Sequence, residues 1–90
     1  MKYTFDPAKD KINRTKHGLS LSQAEYLMWD EALSWIDMGR DYGEIRMIAL
    51  VPMKQRLYYV VYVNKKVNKR IISLRKANNR EIHRYEEEIN

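Results

Sequence analysis

The first eighteen residues have the pattern of a short strand followed by a capped helix. Residues 2–5 are strand-like, and Asp6 followed by Pro7 is typical of a helix N-cap and a first helical position. Gly18 suits the left-handed backbone that ends many helices. The pattern therefore predicts a strand over residues 2–5 and a helix between Asp6 and Gly18.

A second helix is predicted directly after the first. Ser20 and Gln23 match a capping box. Apolar residues then recur at helical spacing, at Leu21, Ala24, Leu27 and Met28. This helix should end near residues 29–30.

The centre of the chain changes to the period of β-strands. The predicted strands cover residues 33–36, 45–51, 57–63 and 69–74. Pro52 is expected to end the second of them. Because the connections around residues 53–56 and 64–68 are short, their strands should be antiparallel neighbours.

The chain closes with a predicted helix. Asn78 and Glu81 match a capping pair, and Ile82, Tyr85 and Ile89 lie on one helical face. The element order is therefore β-α-α-β-β-β-β-α. At 90 residues this order predicts one α+β domain, residues 1–90. Its antiparallel sheet should be flanked by two N-terminal helices and one C-terminal helix.

Composition narrows the class of protein. The chain has no cysteine, which excludes disulfides, thiolate metal sites and a cysteine nucleophile. The N-terminus lacks the apolar stretch of a signal peptide, and no apolar run approaches the roughly 20 residues that span a bilayer. We therefore expect a soluble cytoplasmic protein without a membrane partner.

Charge is distributed unevenly. The net charge is +5, and between Lys54 and Arg80 there are nine basic residues and no acidic one. The basic residues are Lys54, Arg56, Lys65, Lys66, Lys69, Arg70, Arg75, Lys76 and Arg80. Such a layout gives a fold one basic side, as nucleic-acid binders have, although a solvated surface is the ordinary alternative for a basic run.

Three segments, in order along nearly the whole chain, resemble the BrnT family of type II toxins. The first is Phe5-Asp6-Pro7-x-Lys9-x-x-x-Asn13-x-x-Lys16-His17-Gly18, followed by Ser20 and Ala24. The second is Gly43-Glu44-x-Arg46. The third is Arg70-Ile71-Ile72-Ser73-x-Arg75-x-Ala77, followed by Arg80-Glu81 and Tyr85.

The resemblance implies a fold, an activity and a partner. BrnT proteins are expected to have a RelE-like fold and to cleave RNA without a metal or other cofactor. A BrnA-type antitoxin with a ribbon-helix-helix domain is expected to neutralise them, so that operator DNA is contacted only through the antitoxin. A catalytically silent nucleic-acid-binding or antitoxin-binding module on the same fold is the rival interpretation.

Metal-free RNA cleavage uses the neighbouring 2′-hydroxyl as nucleophile and needs positive charge at the phosphate. Arginine offers a planar fork for phosphate oxygens, and the candidates are Arg46, Arg70, Arg75 and Arg80. In a regular strand Arg70 and Arg75 point to opposite faces. They share a site if the strand bulges, or if Arg75 lies beyond its end, which is the alternative we favour here.

Proton transfer and base contacts have fewer candidates. His17 is a candidate base or acid, because the imidazole of histidine can take up and release protons near neutral pH. Histidine is also favoured at a helix C-terminus, which is the alternative for His17. Lys16 beside it is a predicted RNA contact. Tyr85 is either the acid or an anchor of the last helix. Tyr58 and Tyr62 share a strand face and are predicted to stack on bases, although tyrosine is also simply a good strand former. Two distant histidines predict no metal site.

Overall fold

The computed structural model describes residues 1–39 and 41–89. Its elements are β1 (Lys2–Thr4), α1 (Pro7–His17), two 3₁₀ helices (Leu21–Tyr26 and Trp29–Glu31), β2 (Leu33–Ile36), β3 (Met47–Met53), β4 (Arg56–Asn64), β5 (Asn68–Lys76) and α2 (Asn79–Ile89). The predicted α+β class is confirmed. No helix in the described residues is long and apolar enough to cross a membrane.

The five strands form one mixed sheet in the order β1-β5-β4-β3-β2. The contacts of β2 with β3, β3 with β4, and β4 with β5 are antiparallel, whereas β1 pairs with β5 in parallel. The prediction of a wholly antiparallel sheet is therefore wrong at one edge. Most of the chain separates β1 from β5, so no tight hairpin imposes an antiparallel direction there.

The predicted caps of α1 are confirmed. The Asp6 carboxylate accepts a hydrogen bond from the backbone N–H of Ala8 at 2.9 Å, and Pro7 occupies the first turn. Gly18 has φ 69°, and its N–H donates to the carbonyl of Arg14 at 2.9 Å. Both caps could be predicted from the sequence because each involves only residues that are close together in the chain.

The second predicted α-helix is instead the two 3₁₀ helices. Ser20 does cap the first of them, but Leu21, Ala24 and Leu27 are buried at intervals of three residues. That interval matches the 3.0 residues per turn of a 3₁₀ helix, so one tightly wound face points all three side chains into the core.

The core lies between one face of the sheet and these 3₁₀ helices. Its fully buried members include Leu21, Ala24, Ala49, Val51, Val60, Ile71 and Leu74. Trp29 packs at the margin of the core, where its indole N–H donates to the carbonyl of Ala24 at 2.9 Å. We call this side of the sheet the core face and the opposite side the arginine face, because Arg70 and Arg75 lie on it.

Pro52 does not end the third strand, contrary to the prediction. It stays in β3, opposite Leu57 of β4, and its carbonyl accepts a hydrogen bond from the N–H of Met28 at 2.9 Å. Because the N and C=O of a strand residue point to the same side, the missing N–H of Pro52 faces away from β4. β2 pairs with β3 only from Met47 to Leu50, so the proline interrupts no ladder.

The side chain of Asn13 attaches α1 to the edge of β5. β1 pairs with β5 only as far as Arg70, and beyond that point Asn13 replaces a strand. Its amide donates to the carbonyl of Leu74 at 2.8 Å and its oxygen accepts from the N–H of Leu74 at 3.0 Å. A further bond reaches the carbonyl of Leu19 at 2.9 Å. Asn13 is 3% exposed, so these groups depend on it.

Candidate functional site

A β-bulge in β5 decides which arginines share a face. Tyr62 of β4 lies opposite Ile71, but the next residue back, Val61, lies opposite Ser73. Ile72 is therefore an extra residue on β5. An extra residue reverses the alternation of side chains beyond it.

The bulge brings Arg70 and Arg75 onto one side of the sheet. Arg70 lies opposite Val63 and Arg75 opposite Tyr59, and these partners are four residues apart on β4, which places them on the same face. Our favoured explanation, that Arg75 lies beyond the strand end, is wrong because β5 continues to Lys76. The alternative of a bulge is correct. At ~3.3 Å per residue the two arginines are about 13 Å apart along the strand.

Arg75 is held from two directions. Its Nη1 and Nη2 donate to Oε1 and Oε2 of Glu81, both at 2.9 Å. Its guanidinium carbon lies 3.9 Å from the centre of the Tyr59 ring, a cation–π contact. The hydrogen bonds that Arg75 donates to Glu81 raise the pKa of Arg75, and the contacts with Glu81 and Tyr59 together fix the plane of the guanidinium.

Glu81 joins this arginine to the start of α2. Its Oε1 also accepts from the N–H of Asn78 at 2.9 Å, while the N–H of Glu81 donates to the Asn78 side chain at 2.9 Å. The predicted capping pair is thereby confirmed. Burial alone would raise the pKa of Glu81, but the hydrogen bonds from Arg75 and Asn78 outweigh it and lower that pKa. The carboxylate is therefore ionised at neutral pH.

A second arginine group lies near the other end of the same face. Arg70 donates a short hydrogen bond to Oε2 of Glu44, and Nε of Arg46 lies 3.8 Å from the same oxygen. The guanidinium of Arg46 stacks on Tyr42 at 3.8 Å from the ring centre. Its buried Nε has no hydrogen-bond partner within residues 1–39 and 41–89. One carboxylate oxygen thus lies between two cations.

The predicted contacts Lys16 and His17 lie beside β5. Both are exposed and, with Ser73, line a cavity of about 210 Å³ between α1 and the strand. Lys9 and Arg70 line a neighbouring cavity of about 280 Å³. The end of α1 therefore extends the positive charge of Arg70 along the sheet edge.

The remaining predicted catalytic residues lie on α2. Arg80 is exposed in its first turn. Tyr85 donates its hydroxyl proton to the carbonyl of Glu31 at 2.6 Å. Burial, and then the charge of Glu31, raise the pKa of Tyr85. The sequence left two roles open for Tyr85, an acid or an anchor of the last helix. The hydrogen bond to Glu31 is that of an anchor, and the role as an acid stays a prediction.

Tyr58 and Tyr62 are not placed to stack on bases. They are 8% and 3% exposed and lie in the core, and the Tyr62 ring packs edge-on against Trp29 with ring centres 5.1 Å apart. The alternation of β4 was predicted correctly, but the tyrosine on the arginine face is Tyr59. Burial raises the pKa of Tyr59, so its hydroxyl stays protonated at neutral pH.

Sequence reasoning also missed the carboxylates of this face. Glu44 stood in the Gly43-Glu44-x-Arg46 segment and Glu81 was assigned only a capping role. A signal was present, since both belong to segments that also contain the candidate arginines. No three His, Asp or Glu side chains of the described residues come together as ligands for a metal ion.

These features are typical of a domain that binds a phosphate backbone: planar guanidinium groups on one face of a small sheet, with lysines and a histidine at its edge. Residues 5–81 match the family model for BrnT, the ribonuclease toxin of a type II toxin-antitoxin system. The chain therefore belongs to the BrnT family. A search of curated proteins finds no significant match.

Proposed function

We propose that this chain is a metal-independent endoribonuclease toxin and that Arg75 holds the scissile phosphate. The family supports ribonuclease activity within a toxin-antitoxin pair. The observation that carries the proposal is the position of Arg75. Its guanidinium stacks on Tyr59 and lies on the face that also contains Arg70 and Arg46.

The reaction proceeds by internal transfer. The 2′-oxygen of one nucleotide attacks the adjacent phosphorus as its proton passes to a base. The bond to the 5′-oxygen then breaks, and that oxygen takes a proton from an acid. The products are a 2′,3′-cyclic phosphate and a 5′-hydroxyl. Arg75 stabilises the extra negative charge on the phosphorane, a contribution worth about 2.7–4 kcal/mol for one preorganised donor.

The other predicted residues have supporting roles in this proposal. Arg70 and Arg46 bind backbone phosphates away from the cut, and Lys16 extends that contact at the edge of β5. His17 is the candidate for proton transfer, because its cavity includes Ser73, two residues from Arg75. Arg80, exposed beside Glu81, adds positive charge where the scissile nucleotide lies. Arginine supplies the charge that a metal ion supplies in other nucleases.

Cleavage in the presence of a chelator tests the metal-independent mechanism. Purified protein, freed of any partner, should cut RNA in excess EDTA and leave a 2′,3′-cyclic phosphate. RNA with 2′-O-methyl groups should not be cut, because its nucleophile is blocked. Cleavage that stops with EDTA and returns with magnesium would overturn the mechanism.

We further propose that a BrnA-type antitoxin with a ribbon-helix-helix domain neutralises the protein in the cytoplasm by covering the arginine face. The basic surface should attract acidic segments of the antitoxin and speed association at low salt. Charge reversal by Arg70→Glu should slow association, whereas Lys11→Glu, on an exposed part of α1, should not. An association rate that ignores both salt and Arg70→Glu would refute occlusion of this face.

The rival is a module of RelE-like fold that binds without cutting. One observation favours it: a carboxylate binds both Nη atoms of Arg75 and another binds one Nη atom of Arg70, so part of each guanidinium is already occupied. RNA binding by the purified protein without any cleavage, in EDTA or magnesium, would support this rival.

A further inference from the structure

The carboxylate of Glu81 occupies the fork of Arg75 in the geometry that a phosphate would take. Two parallel N–H···O bonds at 2.9 Å are the bidentate arrangement that arginine makes with carboxylates and phosphates alike. A phosphate diester cannot make both bonds while Glu81 keeps them. If an RNA phosphate binds this same Nη1/Nη2 edge of Arg75, it has to displace the Glu81 side chain.

The helix that carries Glu81 is lightly attached to the rest of the protein. No residue of the described helix Asn79–Ile89 is buried. Its side-chain contacts with the N-terminal half include the Tyr85 hydroxyl on the Glu31 carbonyl at 2.6 Å and Arg84 over the Trp35 ring at 3.9 Å. Exposed contacts of this kind contribute little each, so the first turn can shift when a stronger ligand occupies Arg75.

The guanidinium of Arg75 cannot hold the Glu81 carboxylate and an RNA phosphate on the same two nitrogens. With a phosphate on Arg75, Glu81 would remain close to a second anion, and repulsion would act on a partly buried carboxylate. Arg80, its neighbour in the first turn, already lowers the pKa of Glu81 by its charge, and it is exposed and free to follow either anion.

We propose that Glu81 is an internal competitor for the phosphate site, so that RNA binds only by displacing the first turn of α2 from Arg75. This inference rests on the proposed function. It adds a regulatory role to Glu81, which would otherwise be assigned only to helix capping. It also predicts that removing the charge of Glu81 raises the affinity for RNA.

The variant Glu81→Gln separates competition from capping. Glutamine still serves in a capping box with Asn78, so the helix start is kept, but it binds arginine more weakly than a carboxylate does. Glu87→Gln is the matched control, because it removes the same charge from an exposed position of the same helix. Binding is measured by fluorescence anisotropy with a fully 2′-O-methylated RNA oligonucleotide, which the protein cannot cut.

Glu81→Gln should tighten binding of this RNA roughly fivefold relative to Glu87→Gln, the ratio expected when a partly exposed ion pair no longer competes. The gain should vanish when both variants are compared in an Arg75→Ala background, since the fork is then absent. Cleavage of unmodified RNA should show a lower KM for Glu81→Gln than for Glu87→Gln.

Other results overturn the inference in distinct ways. Equal affinities for Glu81→Gln and Glu87→Gln would show that Glu81 does not compete. A fall in kcat without any gain in affinity would assign Glu81 to the chemistry instead. If the natural sequence cuts RNA in EDTA but Glu81→Gln gains nothing, only this inference fails. If neither protein binds or cuts RNA, the proposed function fails with it.

Discussion

Replacing Arg75 by alanine should cost the protein far more activity than stability. The substitution removes the two hydrogen bonds to Glu81 and the contact with Tyr59. The Arg75 side chain is 31% exposed, so the ion pair contributes about 1 kcal/mol at most, and the cation–π contact about 0.5–1 kcal/mol. For a domain of this size a loss of about 1–2 kcal/mol lowers Tm by roughly 5–15 °C.

Activity should fall by a much larger factor. A single preorganised donor to the transition state contributes about 10²–10³ in rate, so Arg75→Ala should lose that factor in kcat. Arg75→Lys should recover only part of it, because an ammonium group cannot place two donors on one phosphate. Arg56→Ala, which removes the same group from an exposed position at the start of β4, should stay near the activity of the natural sequence.

The assay is single-turnover cleavage in EDTA, with thermal unfolding followed on the same preparations. Rates are compared at a temperature where every variant is folded. An Arg75→Ala protein that cuts RNA within threefold of the natural sequence would remove Arg75 from the site. A loss of rate that appears only near the unfolding transition would show that Arg75 acts through the fold.

Three further results are expected. Asn13→Ala should lower the free energy of unfolding in urea by about 3 kcal/mol, because two buried hydrogen bonds and one part-buried hydrogen bond lose a partner at roughly 1 kcal/mol each; a loss under 1 kcal/mol would contradict this. The pKa of Asp10 is lowered, chiefly by the backbone N–H of Leu21. Asp10 therefore contributes its full stabilisation above its unfolded-state pKa near ~4, and this contribution is lost as the pH falls below that value and through the lowered pKa of the folded state. Asp10→Asn should flatten the dependence of the unfolding free energy on pH below about pH 5, and an unchanged slope there would refute the assignment. Tyr85→Phe should reduce kcat less than tenfold, because the Tyr85 hydroxyl donates its hydrogen bond to the carbonyl of Glu31. A loss of kcat on the order of 100-fold would instead support Tyr85 as the general acid.

Features set by neighbouring residues could be predicted from the sequence. The caps at Asp6, Gly18 and Asn78 follow from side chains and backbone within a few positions. The strand order β3-β4-β5 follows from short turns. Two local predictions were wrong. The helix after Ser20 is of another kind, because apolar spacings of three and of three to four are hard to distinguish over seven residues. Pro52 does not end its strand, because its missing N–H faces away from β4.

The faces of the sheet could not be predicted in the same way. β4 is apolar on both sides, since the core lies beneath it while the arginine face also contains half-buried residues such as Tyr59 and Val61. Alternation therefore showed which tyrosines share a face but not which face is buried. Choosing Tyr58 and Tyr62 over Tyr59 was the consequence.

The sequence predicted the bulge at Ile72 only as one of two alternatives, the other being that Arg75 lies beyond the strand end. A bulge depends on the pairing of β5 with β4. The pairs that flank this bulge, Tyr62 with Ile71 and Val61 with Ser73, are nine and twelve positions apart in the sequence, and no local signal marks the extra residue. Its effect is nevertheless large, because a shift of one position transfers Arg75 from one face to the other.

The segments that resemble the family divide into two groups with different physical tasks. The residues of α1 mainly build the scaffold: Asn13 binds both backbone groups of Leu74, the residue directly before Arg75. The segments around Glu44 and Arg75 supply the charged groups of the arginine face. Because Asn13 holds β5 where β1 no longer pairs with it, the direction of Arg75 depends on α1 as well as on Glu81. An Asn13 variant should therefore lose activity in proportion to its loss of stability, whereas an Arg75 variant should lose much more activity than its loss of stability explains.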